Sequence, residues 1–317
     1  MRTAMRFGCL LPLLLFVPVW GADCIEVVSA GGSPSFWGAV GEGAMAAGRE
    51  LGVAIHYLNP SEETDKQGQD QLIRQLASLK CRALVLAPNA PERARQSALL
   101  MQQGTPVVFI DRTEADARPL ALVGTDNDAA GRLAGEQMVR RLRGTGLHRV
   151  VLMRFKKGVQ STDEREQGFL DVVRKAGLTV VADPYLGPAE SDARLRSEQV
   201  LRRLGKGFDA IFTPNETTTS GTLQTVQKLG LAGKVMLIGF DINPLLYEAI
   251  RQRTISVLVL QRPFQMGYVG VTLAWRAAHG ARPSAARVDS GVTLLTHDNM
   301  NQKDILFFSN YRGVKPQ

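Results

Sequence analysis

The chain alternates short, almost wholly apolar runs with longer segments in which apolar residues recur every three or four positions. The short runs are typical of strands buried on both faces, and the longer segments of helices with one apolar face. This alternation predicts a parallel sheet covered by helices. The first series predicts strands at residues 25–29, 53–58, 83–87, 107–111 and 120–124, with helices at about 37–51, 64–79 and 93–103.

A second series of the same kind begins with a helical pattern at Asp126. It predicts strands at residues 149–154, 179–184, 210–214, 235–240, 256–261 and about 288–296, with helices at about 163–175, 192–204, 218–229, 244–251 and 263–279. The fold class we expect is therefore α/β, with two similar doubly wound parallel-sheet lobes. We expect residues 23–124 plus 262–289 to form one lobe and residues 125–261 plus 290–317 the other, joined by a three-crossing hinge.

The first 22 residues have the pattern of a secretory signal peptide. Arg2 and Arg6 precede the apolar stretch 7–20, and the small residues Gly21 and Ala22 follow it. Cleavage after Gly21 and cleavage after Ala22 both fit this pattern. The apolar stretch is short for a membrane-spanning helix and contains two prolines. We therefore expect an exported, soluble mature protein.

Composition argues against several classes of function. The formal charge of +8 over 317 residues is spread along the predicted helices without a block of Lys and Arg, so we expect no nucleic-acid partner. The four histidines are scattered, and no P-loop, GxSxG or HExxH pattern occurs. We therefore expect no enzymatic activity, no metal and no cofactor.

Polar side chains collect where the predicted strands end. The run PVVFIDR places Asp111 and Arg112 directly after a buried strand, and Asn215, Asp241 and Gln261 end or follow later strands. Ligands of open α/β sheets bind outside the carboxyl ends of the strands. An acid beside a guanidinium offers acceptors and a rigid fork of donors, which suits a ligand with several hydroxyl groups. The pattern predicts one polar cleft between the lobes.

These pieces, in this order and spacing, resemble the type I periplasmic binding proteins, specifically the ribose-binding-like sugar-binding group. The resemblance covers nearly the whole mature chain. It rests on VVSAGGSPSFWGAVGEGAMAAGRELG (27–52), PVVFIDR (106–112), VGTDNDAAGRLAGE (123–136), STDEREQGF (161–169), DAIFTPNE (209–216), IGFD (238–241) and LQRPFQMG (260–267).

The resemblance implies that a sugar is clamped between the two lobes. Phe36 takes the place of an aromatic residue that stacks on the sugar ring, and Trp37 beside it either contacts the ligand or packs in the core. Asp111 and Arg112 match a pair that hydrogen-bonds the ring hydroxyls. The polar ligand contacts of the second lobe and hinge are matched by Asn215, Asp241 and Gln261, of which the first two are also interpretable as helix caps.

Departures from the ribose-binding pattern bear on the choice of sugar. Ser33 stands where ribose binders have an asparagine, and Ser35 where they place a first stacking aromatic. In the stretch Arg-x-Arg-x-x-Gly-Phe the first arginine is replaced by Asp163, which leaves Arg165. We include Ser33, Asp163 and Arg165 among the expected ligand contacts, and we expect a monosaccharide or related polyol other than ribose.

Two roles fit this resemblance. A transport receptor in the periplasm delivers its ligand to an inner-membrane ABC permease, and a sensory receptor presents its closed form to a chemoreceptor or sensor kinase. A DNA-binding regulator of the same fold needs a domain of its own before the core, where this chain has a signal peptide. We expect a monomer. The apolar tail 303–317 either docks a partner or packs on its own lobe.

A disulfide between Cys24 and Cys81 is also expected. Cys9 leaves with the signal peptide, so an oxidising compartment receives two cysteines. In the strand order 2-1-3-4-5, Cys24 and Cys81 precede neighbouring parallel strands at the same edge of the sheet. Adjacent strands lie about 4.8 Å apart, a separation that a disulfide accepts.

Overall fold

A computed structural model describes residues 23–31, 34–79 and 81–302. They form two six-stranded sheets in which all neighbouring strands are parallel except β12, which is antiparallel to β10. The first sheet has the order β2 (Ala54–Leu58), β1 (Cys24–Val28), β3 (Ala83–Leu86), β4 (Val107–Ile110), β5 (Ala121–Gly124) and β11 (Arg287–Asp289). The second has the order β7 (Thr179–Ala182), β6 (Arg149–Leu152), β8 (Ala210–Phe212), β9 (Met236–Phe240), β10 (Val257–Gln261) and β12 (Val292–Leu295).

Helices cover both faces of each sheet. The first sheet lies between α1 with α9 and α2 with α3, and we call this unit the N-terminal lobe. The second lies between α4 with α5 and α6 to α8, and we call it the C-terminal lobe. The helices are α1 (Pro34–Leu51), α2 (Lys66–Leu79), α3 (Glu92–Gln102), α4 (Asn127–Leu142), α5 (Gln160–Lys175), α6 (Glu190–Leu204), α7 (Glu216–Lys228), α8 (Pro244–Arg251) and α9 (Pro263–Ala278).

Strand β4 shows how the apolar pattern produces this arrangement. Successive side chains of a strand point to opposite faces of the sheet. Val108 and Ile110 pack with α1 and α9, whereas Val107 and Phe109 pack on the side of α2 and α3. All four side chains are fully buried, so the predicted strand buried on both faces is confirmed.

The chain passes between the two sheets three times. After β5 of the first sheet it enters α4, which packs on the second, and after β10 of the second sheet it enters α9, which packs on the first. The third passage joins β11 to β12. The predicted fold class of two doubly wound lobes is confirmed, while the exact lobe boundaries remain a prediction.

The single strand predicted at about residues 288–296 is wrong. Two short strands, β11 and β12, take its place and belong to different sheets. Between them Gly291 adopts a left-handed backbone with φ 75°, and its N–H donates to Asp289 Oδ1 at 2.8 Å. Glycine adopts this conformation without steric cost, so the chain can turn here from one sheet to the other.

The expected disulfide between Cys24 and Cys81 is present, with a Cα–Cα distance of 4.5 Å. Strands β1 and β3 are parallel neighbours, as the strand order predicted. One imidazole nitrogen of His56 lies within 4.8 Å of both sulfur atoms. Because the sulfurs are bonded to each other, this cluster offers no thiolate to a metal ion.

Two segments that carry sequence predictions lie outside the described residues: the signal peptide 1–22 and the tail 303–317. Within the described ranges, every helix is too short or too polar to span a bilayer. The signal peptide and the role of the tail therefore remain predictions from the sequence.

Candidate functional site

A cavity of about 310 Å³ lies between the carboxyl ends of the strands of both lobes. Its volume is at the lower end of the range for small-molecule pockets. Ser33 lies outside the described residues. Eight of the ten predicted ligand contacts line the cavity: Phe36, Trp37, Asp111, Arg112, Arg165, Asn215, Asp241 and Gln261.

Asp111 and Asp241 occupy equivalent positions in the two lobes. Each follows its strand directly, and each has a left-handed backbone, with φ 65° and 63°. The main-chain N–H of each donates to the neighbouring strand at 2.9 Å, to Val123 O and Val259 O respectively. Aspartate tolerates this conformation better than most residues. Both side chains are at most 5% exposed and line the cavity from opposite lobes.

Arg112 is held between two carboxylates. Its Nε donates to Asp111 Oδ2 at 2.7 Å, and its Nη1 to Glu63 Oε1 at 2.6 Å. Burial by itself lowers the pKa of Arg112, but attraction to Glu63 and Asp111 outweighs it and raises that pKa. The guanidinium is therefore charged and fixed in orientation, as bidentate recognition of a polar ligand requires.

Arg165 enters the cavity from α5, which packs very closely on α4. A Cβ at Gly131 of α4 would lie 2.1 Å from the Arg165 carbonyl oxygen, so only glycine permits this approach. The guanidinium donates to Asn127 Oδ1 and Pro214 O, both at 2.9 Å, and lies over the Phe240 ring. Two of its five N–H donors are used in this way, which leaves donors for a ligand.

The charge of Arg165 is less well compensated than that of Arg112. The side chain is 2% exposed, and burial lowers its pKa against the opposing attraction of Asp241 and Asp111. Its hydrogen bonds among the described residues go to neutral oxygen atoms. A polar ligand that accepts from this guanidinium would therefore relieve part of the cost of burying it.

A chain of hydrogen bonds joins the part of the site on the C-terminal lobe to the hinge. Thr125 Oγ1 donates to Gln261 Oε1 at 3.0 Å, and Gln261 Nε2 donates to Asp241 Oδ1 at 2.9 Å. The other carboxylate oxygen of Asp241 accepts from the Glu216 N–H at 3.2 Å. The orientation of Asp241 therefore depends on both α7 and the crossing strands.

The helix-cap interpretation applies to only one of the two residues for which it was considered. Asn215 caps α7, since its Oδ1 accepts from the Thr218 N–H at 3.1 Å, and it also lines the cavity. Helix α8 is capped by Asn243 and not by Asp241.

Phe36 and Trp37 both line the cavity and both pack in the core of the N-terminal lobe. Their rings meet edge to face, with centroids 4.9 Å apart. The carbonyl oxygen of Trp37 accepts from the Tyr57 hydroxyl at 2.5 Å, which fixes the first turn of α1. The two alternatives for Trp37 are therefore compatible with each other.

The structure does not bring Asp163 to this cavity. Helix α5 begins at Gln160, earlier than predicted. Asp163 and Arg165 lie two residues apart on this helix, as they did in the predicted one, so their side chains leave it about 200° apart around its axis. Asp163 Oδ2 accepts from the Gly158 N–H at 2.9 Å, and the residue lines a second cavity of about 670 Å³.

Sequence reasoning missed several residues of the site. Glu63 follows β2, and Phe155 follows β6, where Glu166 accepts from its N–H at 3.2 Å. Both lie beyond carboxyl ends of strands, so applying the strand-end criterion to every strand would have found them. The other cavity-lining residues missed are Glu62, Thr64, Val159, Ser161, Thr162, Pro188, Ala189, Glu216 and Thr217.

Two α/β lobes that enclose a polar cavity at their strand ends define a two-lobed solute-binding protein. The periplasmic binding protein domain family matches residues 25–282, and the chain belongs to this family of non-enzymatic binding proteins. Its two sheets have the type I fold of these proteins.

Curated relatives are similar over most of their length. The ribose import binding protein RbsB of Haemophilus influenzae is 25% identical over 287 residues, which cover 89% of this chain and 95% of that protein. The D-allose-binding periplasmic protein of Escherichia coli is 26% identical over 279 residues, 84% of this chain and 88% of that protein.

Solved structures are similar as well. The periplasmic component of an ABC-type sugar transport system from Hahella chejuensis is 35% identical, with a TM-score of 0.81, over 86% of this chain and 100% of that chain. A carbohydrate transporter solute-binding protein from Agrobacterium radiobacter, in complex with D-arabinose, is 27% identical, with a TM-score of 0.83, over 91% and 99%.

Proposed function

We propose that this protein binds a monosaccharide or related polyol between its lobes and delivers it to the inner-membrane permease of an ABC transport system. The observation that carries this proposal is that eight predicted contacts, from both lobes, converge on the same cavity of about 310 Å³. The similarity to sugar-binding components of ABC transporters supports the same role.

The chemistry of the cavity suits a ligand with several hydroxyl groups. Asp111 and Asp241 supply carboxylate acceptors from opposite lobes, and Arg112 and Arg165 supply fixed donors. A sugar hydroxyl donates one hydrogen bond and accepts others, so it can bridge such groups. The ring of Phe36 offers an apolar face to the C–H side of the sugar.

Binding proceeds by closure of the lobes over the ligand. The three passages between the sheets act as the hinge, and polar side chains from both lobes replace the water around the sugar. Ser33 remains a proposed contact, whereas Asp163 lines the second cavity and is not proposed as one. The departures at these two positions support a ligand other than ribose.

The proposed location is the periplasm, after removal of residues 1–22, with the mature protein acting as a monomer. Transport is preferred to sensing because the relatives named above are import proteins or components of transport systems. Deletion of the gene for this protein should abolish uptake of the ligand if it is a transport receptor, whereas deletion of a sensory receptor would leave the transport step intact.

The test of the site is calorimetry of the mature protein against a broad panel of sugars, with Asp111→Asn and Asp241→Asn. Asparagine also tolerates a positive φ, so these changes spare the backbone better than alanine would. Loss of a charged acceptor costs about 1–3 kcal/mol, which weakens binding roughly ten- to hundred-fold.

Asp116→Asn is the matched control. Asp116 has the same left-handed backbone, with φ 62°, but is exposed and lies outside the cavity. Binding should be unchanged in this variant. If neither cavity variant weakened binding of a sugar that the wild type binds, the site would be wrongly assigned.

A further inference from the structure

We propose that Gln160 and Glu164 form a latch that holds the closed lobes together and sets the rate at which the ligand leaves, without either residue touching the ligand. The latch is the group of Thr113, Gln160, Glu164 and Arg287. This inference rests on the proposed function, because ligand release is its main readout.

The first contact of the latch crosses the cleft. The N–H of Thr113, which follows Arg112 in the N-terminal lobe, donates to Gln160 Oε1 at 3.1 Å. Gln160 is the first residue of α5 in the C-terminal lobe. The residues of this bond do not belong to the three chain passages of the hinge, so opening of the lobes must break it.

Glu164 determines which end of the Gln160 amide faces Thr113. Gln160 Nε2 donates to Glu164 Oε1 at 2.7 Å, one helical turn further along α5. An ionised carboxylate can only accept hydrogen bonds, so it takes the NH₂ end of the amide. The carbonyl end is thereby presented to the backbone N–H of Thr113.

Glu164 also contacts the N-terminal lobe directly. Its Oε2 lies 3.9 Å from Nη2 of Arg287, the first residue of β11. Both side chains are partly exposed, so this ion pair by itself contributes little. Its main consequence is that α5 touches the other lobe at two points, near the cleft and near the edge strand.

The latch lies outside the sugar cavity. Thr113, Gln160 and Glu164 line the second cavity, between the lobes, and none of them lines the first. A contact made only in the closed form stabilises that form and so raises affinity through the population of closed protein. Breaking it should act on dissociation, because association begins from the open form.

The test is stopped-flow kinetics with Gln160→Met, using the tightest-binding sugar of the panel. Methionine keeps the length of the side chain and removes the amide. We expect koff to rise roughly two- to ten-fold, kon to be unchanged, and the melting temperature of the unliganded protein to match the wild type.

Gln167→Met is the control on the same helix. Gln167 Nε2 makes the same kind of bond, to Asp171 Oδ1 at 2.6 Å, but within one lobe and on the exposed surface. Its koff should equal that of the wild type. An unchanged koff in Gln160→Met, an equal rise in Gln167→Met, or a lower unliganded melting temperature in Gln160→Met would each overturn the latch.

A cross-linking experiment needs no ligand. Cys24 and Cys81 are joined in a disulfide, and Cys9 belongs to the proposed signal peptide, so in the mature protein Thr113→Cys with Gln160→Cys supplies the reactive thiols for a short bifunctional reagent. Efficient cross-linking is expected for this pair and not for Thr113→Cys with Gln167→Cys; equal yields would refute the proximity. If no sugar bound the wild type, the proposed function would be wrong. The cross-linking yield would still show whether Thr113 and Gln160 lie together as the latch requires.

Discussion

The free energy of unfolding should depend on pH through Glu26, a carboxyl group buried in the middle of β1. The side chain is fully buried, and neither carboxylate oxygen has a hydrogen-bond partner within the described part of the chain. Its register neighbours are His56 on β2 and Leu84 on β3. Burial raises the pKa of Glu26 from 4.5 to about 8.

The raised pKa fixes the direction of the effect. Between pH 4.5 and about 8 the folded protein holds a proton that the unfolded chain has released, so stability falls as the pH rises. At about 1.4 kcal/mol per pKa unit, the loss across this window is on the order of 5 kcal/mol. Glu26→Gln removes the titration and should therefore be the more stable protein at high pH.

Urea unfolding of the unliganded mature protein at several pH values measures this difference. The gain in unfolding free energy of Glu26→Gln over the wild type should grow steadily between about pH 5 and about pH 8. Glu136→Gln, at an exposed position of α4, is the control and should leave the pH dependence unchanged. Equal pH dependence in Glu26→Gln and the wild type would refute the reasoning.

Three further predictions separate stability from binding. Phe36→Ala should weaken sugar binding in calorimetry more than Phe109→Ala does. Phe109 lies in the core, so its loss should instead lower the melting temperature. Equal loss of ligand-induced stabilisation in the two variants would contradict this prediction. Cys24→Ser opens a disulfide of sequence separation 57, so thermal melts should show a loss of about 4 kcal/mol with sugar affinity unchanged. Gly131→Ala should force α4 from α5 and lower affinity, whereas Gly38→Ala, with open space around it, should raise the melting temperature slightly.

The sequence by itself determined the architecture, because strand and helix periodicities are local properties of the chain. The alternation predicted two parallel sheets, and the strand order then placed Cys24 beside Cys81. It also located Asp111 and Asp241, since residues that follow buried parallel strands gather at one edge whatever the loops do.

Only the tertiary structure decided what depends on helix phase and on loop paths. The packing of α5 turns Arg165 toward the cavity and Asp163 away from it, and the spacing along the chain does not say which of two residues about 200° apart on a helix faces the ligand. The pairing of Glu63 with Arg112 and the contact of Thr113 with Gln160 join residues nearly fifty positions apart. The first pair forms when packing within the N-terminal lobe brings two loops together, and the second forms when the two lobes meet, so no local pattern records either of them.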